Sequence, residues 1–246
     1  MKKFALLFAG CIEDQYNQSR YKNDLGYMNK VLQQNHFQNI DILYFDGSSI
    51  NYNHQVLSTT PGTKSNFFDK IHSYENLLKD DDLLFIMVSN HGNLCGGLAG
   101  INCWGTDTIL QNEFSLAVSK VKGKKVIVMG QCYGGNFINE TIPNSIIISA
   151  NSKDKVSFAS LNVDYDEFLY HFISFYNNGY PNGSPLNTQA QSKSIHAAFS
   201  YAKLNNSHYN NRTLYYFDQT SNQNVLIHEE PQIKANMCDP NNLTIM

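Results

Sequence analysis

The chain has 246 residues, 18 Lys or Arg against 21 Asp or Glu, a formal net charge of -3 and 42% hydrophobic residues. That composition suffices for one sizeable core, is too short for two full enzymatic domains, and excludes intrinsic disorder. The charges are mixed without a basic run or an acidic tail, so no nucleic-acid partner and no membrane patch are expected, and no stretch reaches the roughly 18 apolar residues of a membrane span.

The start, Met1-Lys2-Lys3 followed by Phe4 to Cys11, superficially resembles a lipoprotein signal. Its apolar run is only about seven residues and Phe8 is bulky, so the segment reads as a first strand and the cytoplasm as the expected location. Further apolar, non-alternating runs predict strands at Ile40 to Phe45, Leu83 to Ser89, Lys125 to Met129 and Ser145 to Ala150, the pattern of strands covered on both faces. Between them, helical spacing is seen over Tyr21 to Gln33, Thr63 to Leu78 and Leu110 to Val121, while Gly47 to Gly62 has loop character. Two more helices are predicted at Asp164 to Tyr176 and Thr188 to Leu204, then a sixth strand at Leu214 to Asp218. Residues 221–246 read as an irregular tail on a domain spanning 1–220. Alternation of strand and helix predicts a three-layer α/β/α sandwich with a mostly parallel sheet.

Five cysteines, odd in number and without a CxxC pair, suggest neither a disulfide framework nor a zinc site. One of them has a distinctive setting. In an open parallel sheet, chemistry gathers beyond the carboxyl ends of the strands. The third predicted strand runs directly into His91-Gly92, and the fourth runs through Gly130-Gln131 into Cys132-Tyr133-Gly134-Gly135. If these strands are neighbours in register, an imidazole and a thiol share one edge, which is what an activated cysteine nucleophile requires. Gly92, Gly134 and Gly135 would let backbone approach closely and leave N–H groups free for an oxyanion.

These residues resemble the cysteine peptidases of the legumain, caspase and clostripain group, in which a His-Gly follows one hydrophobic strand and the catalytic Cys follows the next. Here the two positions are 41 apart with one predicted helix between them. Ala9-Gly10, Tyr16-Asn17, Arg20 and Asp24 resemble a legumain segment, with one extra residue between Asn17 and Arg20, and Ser149-Ala150-Asn151 resembles legumain as well. The resemblance implies a caspase-like fold. It also implies a cysteine endopeptidase in which Cys132 is the nucleophile, His91 handles the proton, the N–H groups of Gly92 and Cys132 hold the oxyanion, and Asn17 orients His91. Arg20, Asp164 and Gln131 would bind the residue before the scissile bond, with Asn or Asp favoured there. The acidic residue that legumain-like enzymes carry two positions before the cysteine is Gly130 here, so the pocket must differ. Catalysis would need no metal or organic cofactor, the partner would be a peptide or protein substrate, and self-cleavage would fall in Gly47 to Gly62 or Asn151 to Asn162.

Other readings stay open on the residues themselves. Asp164 and Asp166 could cap the helix that starts near them, and Cys95 could be a second reactive thiol or a small apolar filler beneath its glycine-rich loop. A caspase-like scaffold that no longer cuts, or a small esterase using the same Cys and His, would share the pattern.

Overall fold

The computed structural model describes residues 1–187, 192–218 and 222–246. The five apolar runs become β1 (Lys3–Ala9), β2 (Asn39–Tyr44), β3 (Leu83–Val88), β4 (Lys124–Met129) and β5 (Ser145–Ser149), all parallel to one another. A sixth strand, β6 (Gln232–Asn236), pairs antiparallel with β5, giving the order β6-β5-β4-β3-β1-β2. The helices are α1 (Ser19–Gln34), α2 (Lys64–Leu77), α3 (Gln111–Ser119), α4 (Glu167–Asn177), α5 (Ile195–Asn205) and the single turn α6 (Ser207–Asn210).

Period-two alternation divides the apolar runs between the two faces of the sheet. From β1, Ala5, Leu7 and Ala9 face a core shared with Leu25 and Met28 of α1, Phe168 and Phe172 of α4, and Ala198 of α5. Phe4, Leu6 and Phe8 face the opposite core, with Phe67 and Ile71 of α2 and Phe114 of α3. Each fully buried Leu or Phe contributes about 1.5–3 kcal/mol, and this two-sided burial is what holds the carboxyl ends of β1, β3 and β4 in fixed relation. Thr63 caps α2 by accepting the Asn66 N–H at 3.2 Å, and Asn178 ends α4 in a left-handed conformation.

The sequence expectations fail in three places. The strand predicted at Leu214 to Asp218 does form from Tyr215, but it pairs only with Gln223–Leu226 in a separate ribbon. The sheet's sixth strand instead comes from the segment read as an irregular tail, where Ile245 is also fully buried. Its polar appearance reflects an edge position, since an edge strand needs apolar side chains only where it meets the core. Gly47 to Gly62, read as a loop, contains the hairpin Ile50–Tyr52 and Gln55–Leu57. After β3 the chain forms a three-stranded antiparallel ribbon, Gly92–Cys95, Leu98–Asn102 and Thr108–Leu110, before entering α3. Part of the helix predicted at Thr188 to Leu204 lies outside the described residues, and the rest begins at Ile195. No helix among the described residues is long and apolar enough to cross a membrane.

Candidate active site

Val88 of β3 sits opposite Met129 of β4 in the parallel register. Three residues further on, the two chains deliver His91 and Cys132 to the same level of the same sheet edge. The two segments touch there: a Cβ added at Gly92 would collide with the Cys132 carbonyl oxygen, so no larger residue fits without displacing the Cys132 backbone. The Asn102 N–H donates to the His91 carbonyl at 3.2 Å, and Gly92 is opposite Ile101 in the same ribbon. Hydrogen-bonded and non-bonded pairs alternate along an antiparallel ladder, so the Gly92 N–H points out of it. The Cys132 N–H likewise has no acceptor among the described residues. Two backbone donors therefore flank the thiol.

His91 is half-buried. Its Nε2 lies 3.1 Å from the Tyr16 carbonyl, and the rings of Tyr16 and Tyr21 meet it edge-on at 5.8 and 5.2 Å. A carbonyl only accepts, so Nε2 carries the proton and Nδ1 is left as the basic nitrogen of the neutral ring. Burial lowers the His91 pKa; the Tyr16 contact opposes this and the Arg20 charge adds to it. The Cys132 sulfur accepts the Ser157 N–H at 3.4 Å and lies 3.7 Å from the Ser157 carbonyl. Burial raises the thiol pKa, with the Ser157 N–H and Arg20 pulling it back and Asp166 and Glu229 raising it further. Both shifts favour a resting pair that is neutral thiol and neutral imidazole.

Three predicted assignments are corrected by the geometry. Asn17 is not on His91: its Oδ1 accepts the Tyr44 hydroxyl at 2.8 Å, and the orienting contact comes from the backbone of the preceding residue. Gln131 is fully buried, with its amide 3.5 Å from Met129 Sδ and its side chain beneath Gly92, so it faces the core and not a substrate. Strand alternation explains this, since Gln131 and Met129 share a face. Asp164 is exposed and bonded to Asn23 at 2.8 and 3.1 Å.

The acidic residues that feel the Arg20 charge are Asp24 and Asp166. Arg20 lies in the first turn of α1 with its guanidinium 4.8 Å from the Tyr21 ring and bonded to the Tyr21 hydroxyl at 3.0 Å. Its charge acts on Asp24, Asp166 and Cys132 alike. Asp24, one helical turn later, is fully buried and accepts Ser89 Oγ at 2.7 Å and the Asp166 N–H at 3.3 Å. Burial and mutual repulsion push Asp24 well above the ordinary carboxylate range, and burial pushes Asp166 up, against Arg20. One oxygen of each, together with Arg20 Nε, is buried without a partner among the described residues. Gly130, where legumain-like enzymes have an acid, has no room for one: a Cβ there would meet Leu169 at 2.6 Å and the Val88 carbonyl at 2.8 Å. Arg20 and Asp24 are four residues apart, a spacing that signals one helical face once the helix begins at Ser19 and not at Tyr21 as the sequence predicts. Asp166 and Ser157 had no comparable signal, because both depend on how the segment after β5 folds back. Cys95, offered as a possible filler, is exposed on its ribbon.

The Peptidase C13 family model matches residues 47–231, well over half of the chain. That span includes His91, Cys132 and Asp166 and leaves Arg20 outside it. No curated protein matches the sequence. Among solved structures, the Drosophila initiator caspase Dronc is similar with a TM-score of 0.59 at 11% identity, covering 96% of this chain and 79% of that one. Caspase-1 from Spodoptera frugiperda is similar with a TM-score of 0.58 at 12% identity, covering 95% and 86%. At such identities these neighbours speak for the fold, and the family model for the lineage: the chain belongs to the Peptidase C13 family, on a caspase-like α/β fold.

Proposed function

We propose that the protein is a cysteine endopeptidase working through a His91–Cys132 dyad. The observation that carries this is the β3–β4 register, which brings an imidazole and a thiol to one sheet edge with Gly92 packed against the Cys132 carbonyl. In the reaction, the Cys132 sulfur bonds to the scissile carbonyl carbon while its proton passes to His91 Nδ1. The oxyanion is held by the outward N–H groups of Gly92 and Cys132. The imidazolium keeps its Nε2–H on the Tyr16 carbonyl, and returns the other proton to the leaving amine as the C–N bond breaks. Water then hydrolyses the thioester. Because the resting pair is neutral, the thiolate forms as substrate binds and not beforehand.

Arg20 and Asp166 together offer a hydrogen-bond donor and an acceptor, which suits a carboxamide such as asparagine before the scissile bond, with aspartate next. The segment Asn151 to Asn162 passes the thiol at Ser157, and its exposed Asn162 is the candidate for self-cleavage. The test is turnover of fluorogenic peptides varied at the residue before the cleaved bond. Wild-type turnover should fall by about a thousandfold or more in both C132A and H91A. Turnover that survives C132A, or small-ester hydrolysis without any peptide cleavage, would reject the reading.

A further inference from the structure

We propose that Glu229 is a positioning residue for Cys132, acting through Ser157 and Phe158 without touching the reacting atoms. The inference rests on the reading of Cys132 as nucleophile and adds a residue from the far end of the chain. The Ser157 N–H donates to the Cys132 sulfur at 3.4 Å, and the next amide, Phe158 N–H, donates to Glu229 Oε1 at 2.7 Å. Successive amides of an extended segment point to opposite sides, so Ser157 can aim at the sulfur only while Phe158 is held from behind. Glu229 Oε2 accepts the Asn206 amide at 2.6 Å, and Asn206 Oδ1 accepts the Tyr209 N–H at 2.9 Å. The grip continues along the segment: His208 Nε2 lies 2.9 Å from the Ala159 carbonyl, and the Glu167 N–H donates to the Phe158 carbonyl at 3.3 Å.

Glu229, Asn206 and His208 are all fully buried. Asp166 and Glu167 are the carboxylates facing Glu229, and Arg20, Asp166 and Glu229 are the charged groups felt by Cys132. A buried carboxylate among others is costly, and an apolar side chain of similar volume would cost less. What the carboxylate supplies is two acceptor oxygens at fixed positions, one of which sets the amide pair on which the sulfur depends. An N–H aimed at sulfur favours the thiolate form.

The test is alkylation of the full-length protein by iodoacetamide across pH, reading Cys132 by peptide mass mapping with exposed Cys95 as the internal control. In E229A the loss of the Ser157 N–H should outweigh the removal of the Glu229 charge, which by itself raises the thiol pKa, so the midpoint for Cys132 should rise by about one pH unit, making it about tenfold slower at neutral pH while Cys95 is unchanged. E229Q sets two amide donors against each other and should share the defect. The exchange pair E229Q/N206D restores complementary donor and acceptor and should return to within about threefold of wild type. A folded E229A or E229Q with the wild-type Cys132 profile overturns the proposal. If neither single variant folds, the exchange pair decides: folded with the wild-type profile supports it, folded with a raised midpoint overturns it. Peptide turnover does not enter, so an inactive wild type would count against the peptidase reading alone.

Discussion

The two halves of the candidate site are built from different materials. His91 is set by a backbone carbonyl and two tyrosine rings, all from residues 16–21, a short segment that follows β1 directly. Cys132 is set by a segment that returns after β5 and is itself held by buried charge and amide from residues 206–229. The imidazole half draws on one stretch, about 75 positions away in the chain, and its contacts are uncharged; the thiol half gathers three stretches around Asp166, Glu167 and Glu229. The difference teaches that a base can be oriented cheaply by any well-placed carbonyl. The thiol, which accepts an N–H from a segment far along the chain, has its surroundings fixed by the whole fold.

The largest break in this comparison should come where the halves meet. Gly92→Ala forces a methyl into the Cys132 carbonyl, shifting both oxyanion donors. Turnover should fall by about a hundredfold with the fold intact, read as kcat on the best peptide beside a circular dichroism melt. Next, if Arg20 reads the substrate as proposed, Arg20→Ala should reduce kcat/KM for asparaginyl peptides by about ten- to a hundredfold while leaving alkylation of Cys132 within a few fold. An equal loss for every residue before the scissile bond would remove Arg20 from specificity.

A third test uses stability. Asp24 and Asp166 have folded pKa values raised above their unfolded values, so the native state holds protons that the unfolded chain has released. Their contribution is therefore favourable near the unfolded carboxylate pKa of about 4 and is lost as pH rises through the folded values, at about 1.4 kcal/mol per pH unit for each proton. The melting temperature should fall from pH 5 to pH 8, and D24N, which removes one of the two buried carboxyls, should flatten that slope and raise the melting temperature at pH 8. A slope identical to wild type would mean the pair ionises without penalty. The smallest effect is expected from Asn17→Ala, below about threefold in kcat/KM, because its carboxamide serves Tyr44 and not His91. A loss as large as that of Gly92→Ala would return Asn17 to the imidazole half.

Legibility in the sequence followed the same divide. The five apolar strands and the His and Cys at their ends could be read because each is encoded by consecutive residues, and a parallel sheet with crossover helices brings such strand ends to one edge. Arg20 and Asp24 were legible only through the resemblance to a legumain segment, since the helix was expected to begin at Tyr21 and it begins at Ser19. The sequence points to Asp164 where Asp166 is the residue that feels the Arg20 charge, because two residues along an irregular segment separate a solvated carboxylate from a buried one and no periodicity tells which. Asn17 was chosen where the Tyr16 carbonyl makes the contact, because backbone groups leave no mark in a sequence.

By itself, then, the sequence determined the strand runs, their burial on both faces, and the His and Cys placed where strands end. These follow from hydrophobic periodicity and strand geometry, which are local. Only the tertiary structure decided that the sheet is completed by Gln232–Asn236, that Leu169 occupies the space beside Gly130, and that Glu229 reaches the backbone behind the thiol. Those outcomes depend on which distant groups must share a water-free volume, and there each buried donor or acceptor takes the partner that the packing brings to it.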